Sequence, residues 1–198
     1  MRLYHVPNTR GSRVIWILEE AGAPYDLVRI SREEARGPEH RARHPLGKVP
    51  VLEDDEGAII ESAAHCLHVA DLHPEAGLIA PVGSHERALA YQWAFYAMAE
   101  LEPKVIECIR VGKEADPEAV RAARERFQET ARVVENALDG HDYLIADSFC
   151  VADLVCGAVL MFANRVELID DGLPNVAAYL ERLDARPARQ RAKEIASA

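Results

Sequence analysis

The chain has 198 residues, of which 49% are hydrophobic and 28% are charged, a composition typical of a folded globular protein rather than a disordered one. Its 23 basic and 33 acidic side chains give a formal net charge of −10, which argues against a nucleic-acid-binding protein, because such proteins usually carry a basic surface. Six of the eight histidines precede Glu75, so we expect any anionic ligand to bind in that part of the chain.

The four cysteines, Cys66, Cys108, Cys150 and Cys156, form no CxxC pair, and their spacing from histidines is unlike that of a zinc site. We therefore expect no bound metal and reduced thiols, as in a reducing compartment. No apolar run approaches the ~18–20 residues that span a bilayer, and the N-terminus lacks a signal-peptide pattern. The sequence predicts a cytoplasmic protein with no membrane partner.

The N-terminal segment that ends at Ile30 follows the pattern strand, helix, strand. Residues 3–6 form a short β-prone run, and residues 25–30 alternate apolar and polar side chains. Between them, apolar residues recur at helical spacing, with Ser12 as the predicted N-cap and Gly22 as the predicted C-cap. This order predicts a βαβ unit.

A hairpin and a helix are predicted next. The apolar runs 49–52 and 58–61 flank a tight-turn sequence, Asp54-Asp55-Glu56-Gly57. Residues 62–72 then read as a helix with Ser62 as its predicted N-cap, ended by His73-Pro74. The first part of the chain is thus βαβ followed by ββα.

Strand signals are absent after residue 75. The Gly- and Pro-containing stretch 76–83 is interpreted as a linker, which predicts two domains, residues 1–75 and residues 84–198. The second domain is predicted to be all helical, with segments near 84–111, 117–139, 150–168, 174–185 and 187–196.

Three places, none of them beyond Ser62, concentrate unusual chemistry, and each has a purely structural alternative. Pro50 at the start of a strand is unusual; a cis bond would leave the Val49 main chain free for an extended peptide, whereas a trans proline on an edge strand would serve only the fold. Glu61 and Ser62 precede a helix, where a carboxylate and an ammonium group could bind, or Ser62 could simply cap.

The third place is the loop Asn8-Thr9-Arg10-Gly11-Ser12 before the first helix. Hydroxyl and N–H groups at the positive end of a helix stabilise a thiolate, although Ser12 could act only as a cap beside a solvated Arg10. In a βαβ–ββα domain, all three places can meet at one edge.

Three segments resemble the cytosolic glutathione transferases: RGSRVIWILEEAGAPYD, HPLGKVPVLEDDEGAIIESAAHCLHVADLHP and HDYLIADSFCVADLVCGAVL. The resemblance runs through nearly the whole chain and is greatest to bacterial and fungal members. It implies an α/β thioredoxin-like N-terminal domain plus an all-α C-terminal helical bundle, with glutathione as co-substrate.

The resemblance also implies roles for individual residues. Pro50 matches the cis-proline of the family, and Val49 the residue whose backbone pairs with the cysteinyl unit of glutathione. Glu61 and Ser62 match the pair that holds the γ-glutamyl end, and Lys48 lies where the glycyl carboxylate or the peptide is contacted. We predict these five residues to bind glutathione.

Thr9 stands where catalytic-serine members have Ser, so Thr9 is the predicted partner of the sulfur, with Arg10 near enough to help neutralise the thiolate. Tyr4 ranks second, by comparison with tyrosine-type members. No Cys lies in residues 1–65, which disfavours members with a catalytic Cys. Asp153, three residues after Cys150, is predicted to serve a helix end rather than catalysis.

The predicted reaction is attack of the glutathione thiolate on a hydrophobic electrophile bound between the domains. The alternatives are glutathione-dependent reduction of disulfides or peroxides at the same site, and a non-catalytic binding protein. The resemblance implies a homodimer. Of the residues Trp93, Phe95, Tyr96 and Met98, at least two are expected to serve packing.

Overall fold

The computed structural model describes residues 1–112, 116–145 and 148–197. The predicted C-terminal domain, 84–198, also contains residues 113–115, 146, 147 and 198, which lie outside the described residues. The chain divides into two compact units: unit 1 is Met1–Ile79 with Ala185–Ala198, and unit 2 is Ala80–Asp184.

Unit 1 is built on a four-stranded mixed sheet with the order β2-β1-β3-β4. β1 pairs with β2 in parallel and with β3 antiparallel, so that Leu3 lies opposite both Leu27 and Leu52. The strands are β1 (Arg2–His5), β2 (Asp26–Arg29), β3 (Val51–Glu53) and β4 (Ala58–Ile59). The predicted βαβ–ββα order is confirmed.

The helices of unit 1 are α1 (Gly11–Ala21), α2 (Pro38–Arg43), α3 (Ser62–Leu72) and α9 (Pro187–Ser197). The five residues 14–18 of α1 are all fully buried, because the helix packs against the sheet, α3 and α9. Short 3₁₀ turns lie at Glu34–Arg36 and Pro74–Ala76. A helix covered on several sides buries consecutive residues rather than one stripe.

Helix α9 belongs to unit 1, whereas the sequence places its residues in the C-terminal domain. Arg186 donates two hydrogen bonds to the Glu20 carboxylate, at 2.7 and 2.8 Å, and Arg191 donates to Glu19 at 2.8 Å. The guanidinium of Arg189 lies over the Trp16 ring, 5.2 Å from its centroid. These contacts join residues at opposite ends of the chain, which local sequence patterns do not reveal.

Unit 2 is all helical, as predicted. Its helices are α4 (His85–Tyr96), a π-helical segment (Ala97–Leu101), α5 (Glu102–Gly112), α6 (Pro117–Ala137), α7 (Val151–Arg165) and α8 (Pro174–Asp184). The single helix predicted over 84–111 is thus interrupted by a π-helical segment. α7 is the most deeply buried of these helices, and a Cβ on its Gly157 would collide with the Leu183 side chain of α8.

Two of the four residues singled out on the first long helix have clear packing roles. Trp93 and Tyr96 stack edge to face with ring centroids 5.7 Å apart, and the Tyr96 hydroxyl donates to the Thr130 carbonyl. Phe95 remains 70% exposed. Within the described ranges, no helix is both long and apolar enough to cross a bilayer.

Candidate functional site

The start of α3 holds Glu61 and Ser62 in an unusual backbone conformation. Ser62 is the first residue of the helix, and Glu61, with φ 74°, occupies the N-cap position without a side-chain capping bond. The prediction of Ser62 as N-cap is therefore wrong. A positive φ on a non-glycine residue is costly and is usually kept at functional sites. It leaves the Glu61 side chain exposed beside the buried Ser62 hydroxyl.

Arg13 connects the start of α3 to the first turn of α1. Its side chain is buried, and its Nη1 donates to the Ser62 Oγ at 3.4 Å. The first turns of both helices carry no acidic side chain, although the exposed Glu61 carboxylate lies at the N-cap position of α3. The sequence did not predict a role for Arg13, because a charged residue inside an amphipathic helix gives no local sign that it is buried.

The segment before β3 carries Lys48, Val49 and Pro50. The Val49–Pro50 peptide bond is cis, as the family resemblance implies. β3 begins at Val51, so Val49 precedes the strand ladder. The Lys48 side chain is exposed and Pro50 is buried, so a solvated charge lies next to an anchored backbone turn.

Two histidines of the α2 region support this segment, and sequence reasoning missed both. The His40 Nε2 bonds the Lys48 carbonyl oxygen at 2.8 Å, and the His44 Nδ1 accepts from the Leu46 N–H at 3.2 Å. Burial lowers the pKa of His44, with His40 and Lys48 acting in the same direction and Glu61 opposing them. The charges of Lys48 and Glu61 thus both act on the His44 imidazole, in opposite directions. The concentration of histidines in the N-terminal part of the sequence was the available signal.

The loop before α1 holds Thr9 and Arg10. The Thr9 hydroxyl donates to the Val6 carbonyl oxygen at 2.6 Å and accepts from the Gly11 N–H at 3.4 Å. The prediction of Ser12 as N-cap is wrong, because α1 begins at Gly11, with Arg10 at the N-cap position, two residues before Ser12; the Ser12 hydroxyl donates to the Thr9 carbonyl instead. Among the described residues, no side-chain hydrogen bond joins Thr9 to the 48–50 segment or to the start of α3.

Tyr4 faces a charged cluster rather than a free surface. Its hydroxyl donates to the Glu53 carboxylate at 3.1 Å, and the Arg43 guanidinium lies 4.4 Å from its ring centroid. The Arg43 Nε also lies 3.6 Å from Glu53. Tyr4 thus connects α2 to the sheet, and its hydroxyl donates a hydrogen bond to the Glu53 carboxylate.

The cysteines offer no nucleophile of their own. All four are free thiols, and burial raises the pKa of Cys66 and of Cys150 to about 12. Such thiols stay protonated near neutral pH, so Cys66 and Cys150 are poor nucleophiles. In the part of the chain that the structure describes, no group of three or more His, Cys, Asp or Glu side chains is arranged to hold a metal ion.

Asp153 in unit 2 serves the fold, as predicted. Its carboxylate accepts from the Leu144 and Cys150 N–H groups, both at 2.9 Å, and from the Tyr179 hydroxyl at 3.0 Å. The side chain is fully buried. Asp153 therefore caps the start of α7 and joins α7 to α8 through the hydrogen bond from Tyr179.

Two protein-family models match this chain. Residues 1–71 match the model of the glutathione S-transferase N-terminal domain, and residues 117–182 match that of the C-terminal domain. Glutathione S-transferase 4 of Zea mays is 34% identical over 93% of this chain and 87% of its own length. The disulfide-bond oxidoreductase YfcG of Escherichia coli is 28% identical over 94% of this chain and 91% of its own.

Solved structures give the same result. A ternary complex of BphK, a bacterial glutathione transferase, superposes with a TM-score of 0.87 at 28% identity, over 100% of both chains. A sphingomonad glutathione S-transferase complexed with glutathione superposes with a TM-score of 0.87 at 25% identity, over 99% of this chain and 98% of its own. The predicted fold class and family resemblance are confirmed. The chain belongs to the glutathione S-transferase family.

Proposed function

We propose that this protein is a glutathione transferase, which binds glutathione in unit 1 and conjugates its thiolate to an electrophilic small molecule. The observation that carries the proposal is the start of α3, where Glu61, at φ 74°, is exposed beside the buried Ser62, and where Glu61 and Lys48 both act on the charge of His44. This arrangement offers an acidic, a polar and a basic group to a ligand that carries both an α-amino acid end and a second carboxylate.

Each part of glutathione has a partner in this proposal. The Glu61 carboxylate binds the γ-glutamyl ammonium group, and the Ser62 hydroxyl and the start of α3 bind the γ-glutamyl carboxylate. The Lys48 ammonium binds the glycyl carboxylate. The main chain of Val49, next to Pro50, pairs with the cysteinyl unit, as a strand pairs with its neighbour.

The sulfur then lies at the start of α1, with Thr9 and Arg10 as the catalytic residues. Lowering the pKa of a thiol by two units requires about 2.7 kcal/mol of preference for the thiolate. The positive end of α1, which has no acidic residue in its first turn, and the Arg10 charge contribute to that preference. The Thr9 hydroxyl must turn from the Val6 carbonyl to donate to the sulfur. This exchange of one acceptor for another makes its net contribution small.

Two measurements on the wild-type protein test the function. Calorimetry with glutathione tests binding, and turnover of an aryl halide tests conjugation. We expect Arg10→Ala to lower kcat/KM for glutathione more than Thr9→Ala does, because the Thr9 hydroxyl is already bonded. Absence of glutathione binding would overturn the proposal, whereas binding with no turnover and no effect of Thr9→Ala would indicate a non-catalytic binding protein.

Reduction of disulfides at the same site is the second candidate, favoured by the similarity to the Escherichia coli oxidoreductase. Two of the four cysteines are buried and the other two are only part-exposed, which favours the thiol of glutathione as the reducing group. Turnover of a small disulfide, measured beside the aryl halide, separates the two activities. We expect the aryl halide to be the better substrate.

We also propose a homodimer, a hydrophobic electrophile and a cytoplasmic location. Apolar side chains remain exposed on α4 and α5, where Phe95 is 70% and Ile106 is 43% exposed, and such side chains are suited to a partner surface or an apolar ligand. The four free thiols suit a reducing compartment, where glutathione is kept reduced. Sedimentation at micromolar concentration checks the dimer, and a monomer would count against it.

A further inference from the structure

We propose that His40 is a positioning residue for glutathione, because it fixes the peptide group that presents the Val49 N–H to the cysteinyl unit. This inference rests on the proposed function, in which the main chain of Val49 binds that unit. It adds a residue from α2 that does not itself touch the ligand.

The argument begins with the bond between His40 and Lys48. The His40 Nε2 lies 2.8 Å from the Lys48 carbonyl oxygen. A carbonyl oxygen only accepts hydrogen bonds, so Nε2 must carry the proton and donate it. The tautomer of His40 is therefore set by its partner.

The peptide geometry carries the effect from Lys48 to Val49. The Lys48 carbonyl and the Val49 N–H belong to the same peptide group, which is planar, and in the trans form the two bonds point in opposite directions. The cis bond of this segment is the following one, Val49–Pro50. When His40 holds the oxygen on the α2 side, the Val49 N–H points away from α2. Without that bond the peptide plane is free to rotate.

The imidazole ring is itself held in place. His40 is buried, and its ring meets the Tyr4 ring edge to face, with centroids 6.0 Å apart. Arg43, on the same helix, lies over the Tyr4 ring and reaches Glu53 of β3. The donor is thus anchored to the sheet through Tyr4, so it acts as a fixed support rather than a mobile side chain.

The bond to Lys48 is the one polar contact found for this ring among the described residues, since the buried Nδ1 has no partner there. The turn that leads to Lys48 is also tight: Gly47 has φ +59°, and a Cβ there would lie 2.8 Å from the Ala35 carbonyl oxygen. Gly47 constrains the chain before Lys48, and Pro50 constrains it after Val49. The plane of the peptide group between Lys48 and Val49 is therefore the part of this segment that can still rotate.

His40→Gln and His40→Asn form a matched pair that tests the inference. Both carry an amide, but only Gln places its nitrogen where Nε2 lies; Asn is one methylene too short to reach the oxygen. We expect H40N to raise the calorimetric Kd for glutathione about 5–10-fold, and H40Q to stay within about twofold of wild type. In turnover, the KM for glutathione should rise while kcat and the KM for the aryl halide stay unchanged.

A control variant and a backbone measurement separate positioning from general loosening. Tyr179→Phe removes a buried hydrogen bond from unit 2, so it should lower the unfolding midpoint and leave the glutathione Kd unchanged. Hydrogen exchange of the Val49 amide should be slowed by glutathione in wild type and H40Q and slowed much less in H40N. His40→Phe, which keeps the ring and removes the donor, gives the same comparison if H40N does not fold.

The outcomes are distinct. Weaker binding by H40N with recovery in H40Q supports the inference. Equal Kd values for wild type, H40N and H40Q would overturn it while leaving the proposed function intact. Failure of wild-type protein to bind glutathione would overturn the proposed function and this inference together.

Discussion

Buried polar side chains are used differently in the two units. In unit 2, the Asp153 carboxylate accepts from the N–H groups of Leu144 and of Cys150 before α7, and the Glu135 carboxylate accepts from two N–H groups at the start of α8. In unit 1, the buried histidines His5, His40 and His65 each bond one carbonyl oxygen through Nε2 and keep a buried Nδ1 without a partner in the described structure.

The difference shows that buried histidines of unit 1 each keep one ring nitrogen without a protein partner in the described structure. A polar group whose bonds all go to helix ends contributes to folding alone, whereas binding needs groups whose partners are few or exchangeable. We therefore expect substitutions of buried polar residues in unit 2 to change stability without changing ligand affinity. Substitutions near the site of unit 1 should change affinity more than stability.

The largest effect is expected for Asp153→Ala, which leaves three buried donors without their acceptor. We expect a loss of about 4 kcal/mol in the free energy of unfolding, measured with urea. The exposed Asp139→Ala in the same unit is the control and should change stability by less than about 0.5 kcal/mol. A changed glutathione Kd in folded D153A protein would contradict the separation of roles.

Lowering the pH should reduce the stability of unit 1, because the His65 imidazole is protonated more readily in the unfolded chain. Burial lowers the pKa of this imidazole from 6.5 to about 4, so between these values the unfolded chain binds a proton that the folded chain does not. Stability must then fall as the pH falls, by about 3 kcal/mol from pH 7 to pH 4. His5 has a lowered pKa for the same main reason and adds to the slope in the same direction.

His65→Gln keeps a donor for the Ile59 carbonyl and removes the titration. Urea unfolding at pH 7, 5.5 and 4.5 should therefore show a shallower pH dependence for H65Q than for wild type. Parallel curves for the two proteins would show that His65 accepts a proton in the folded state as readily as in the unfolded chain.

Ser62→Ala should separate affinity from stability in unit 1. The hydroxyl accepts one long bond from Arg13, at 3.4 Å, and in the proposed function it also binds the γ-glutamyl carboxylate. We expect the calorimetric Kd for glutathione to rise about tenfold, equivalent to about 1.4 kcal/mol, with a smaller change in the free energy of unfolding. A variant that unfolds early but binds normally would assign Ser62 to the fold.

The smallest effect is expected where α9 meets α1 at the surface. Arg191→Ala removes the ion pair with Glu19, in which the arginine is half exposed, and should cost less than about 1 kcal/mol in the free energy of unfolding. Arg121→Ala removes an exposed pair within α6 and should cost nearly nothing. If R121A lowered the free energy of unfolding more than R191A, the attachment of α9 to α1 would not depend on the ion pair between Arg191 and Glu19.

Local patterns in the sequence were sufficient for the elements and the family. α3 occupies residues 62–72, as predicted, because an apolar helical repeat is bounded by a strand turn and by His73-Pro74. The combination of motifs around Pro50 and Glu61 predicted the family, which the domain matches confirm. The roles of the individual site residues stay predictions.

What the sequence did not predict depends on contacts between distant residues. Glu61 adopts a positive φ that its residue type disfavours, and Glu61, not Ser62, occupies the N-cap position of α3. Arg13 and His40 lie on helices whose patterns give no sign of their partners, Ser62 and Lys48. The π-helical segment at Ala97–Leu101 lies just before Pro103, whose missing N–H was the available signal for an interruption of the helix predicted over 84–111.

The return of the last helix to unit 1 has a consequence for the order of folding during synthesis. The ribosome releases residues 80–184 before α9 emerges, so unit 2 has its whole sequence available while unit 1 still lacks one helix. Until then the surface of α1 that includes Trp16 and Glu20 lacks the cover that α9 gives it. Unit 1 can therefore complete its packing only after the whole sequence of unit 2 has been synthesised.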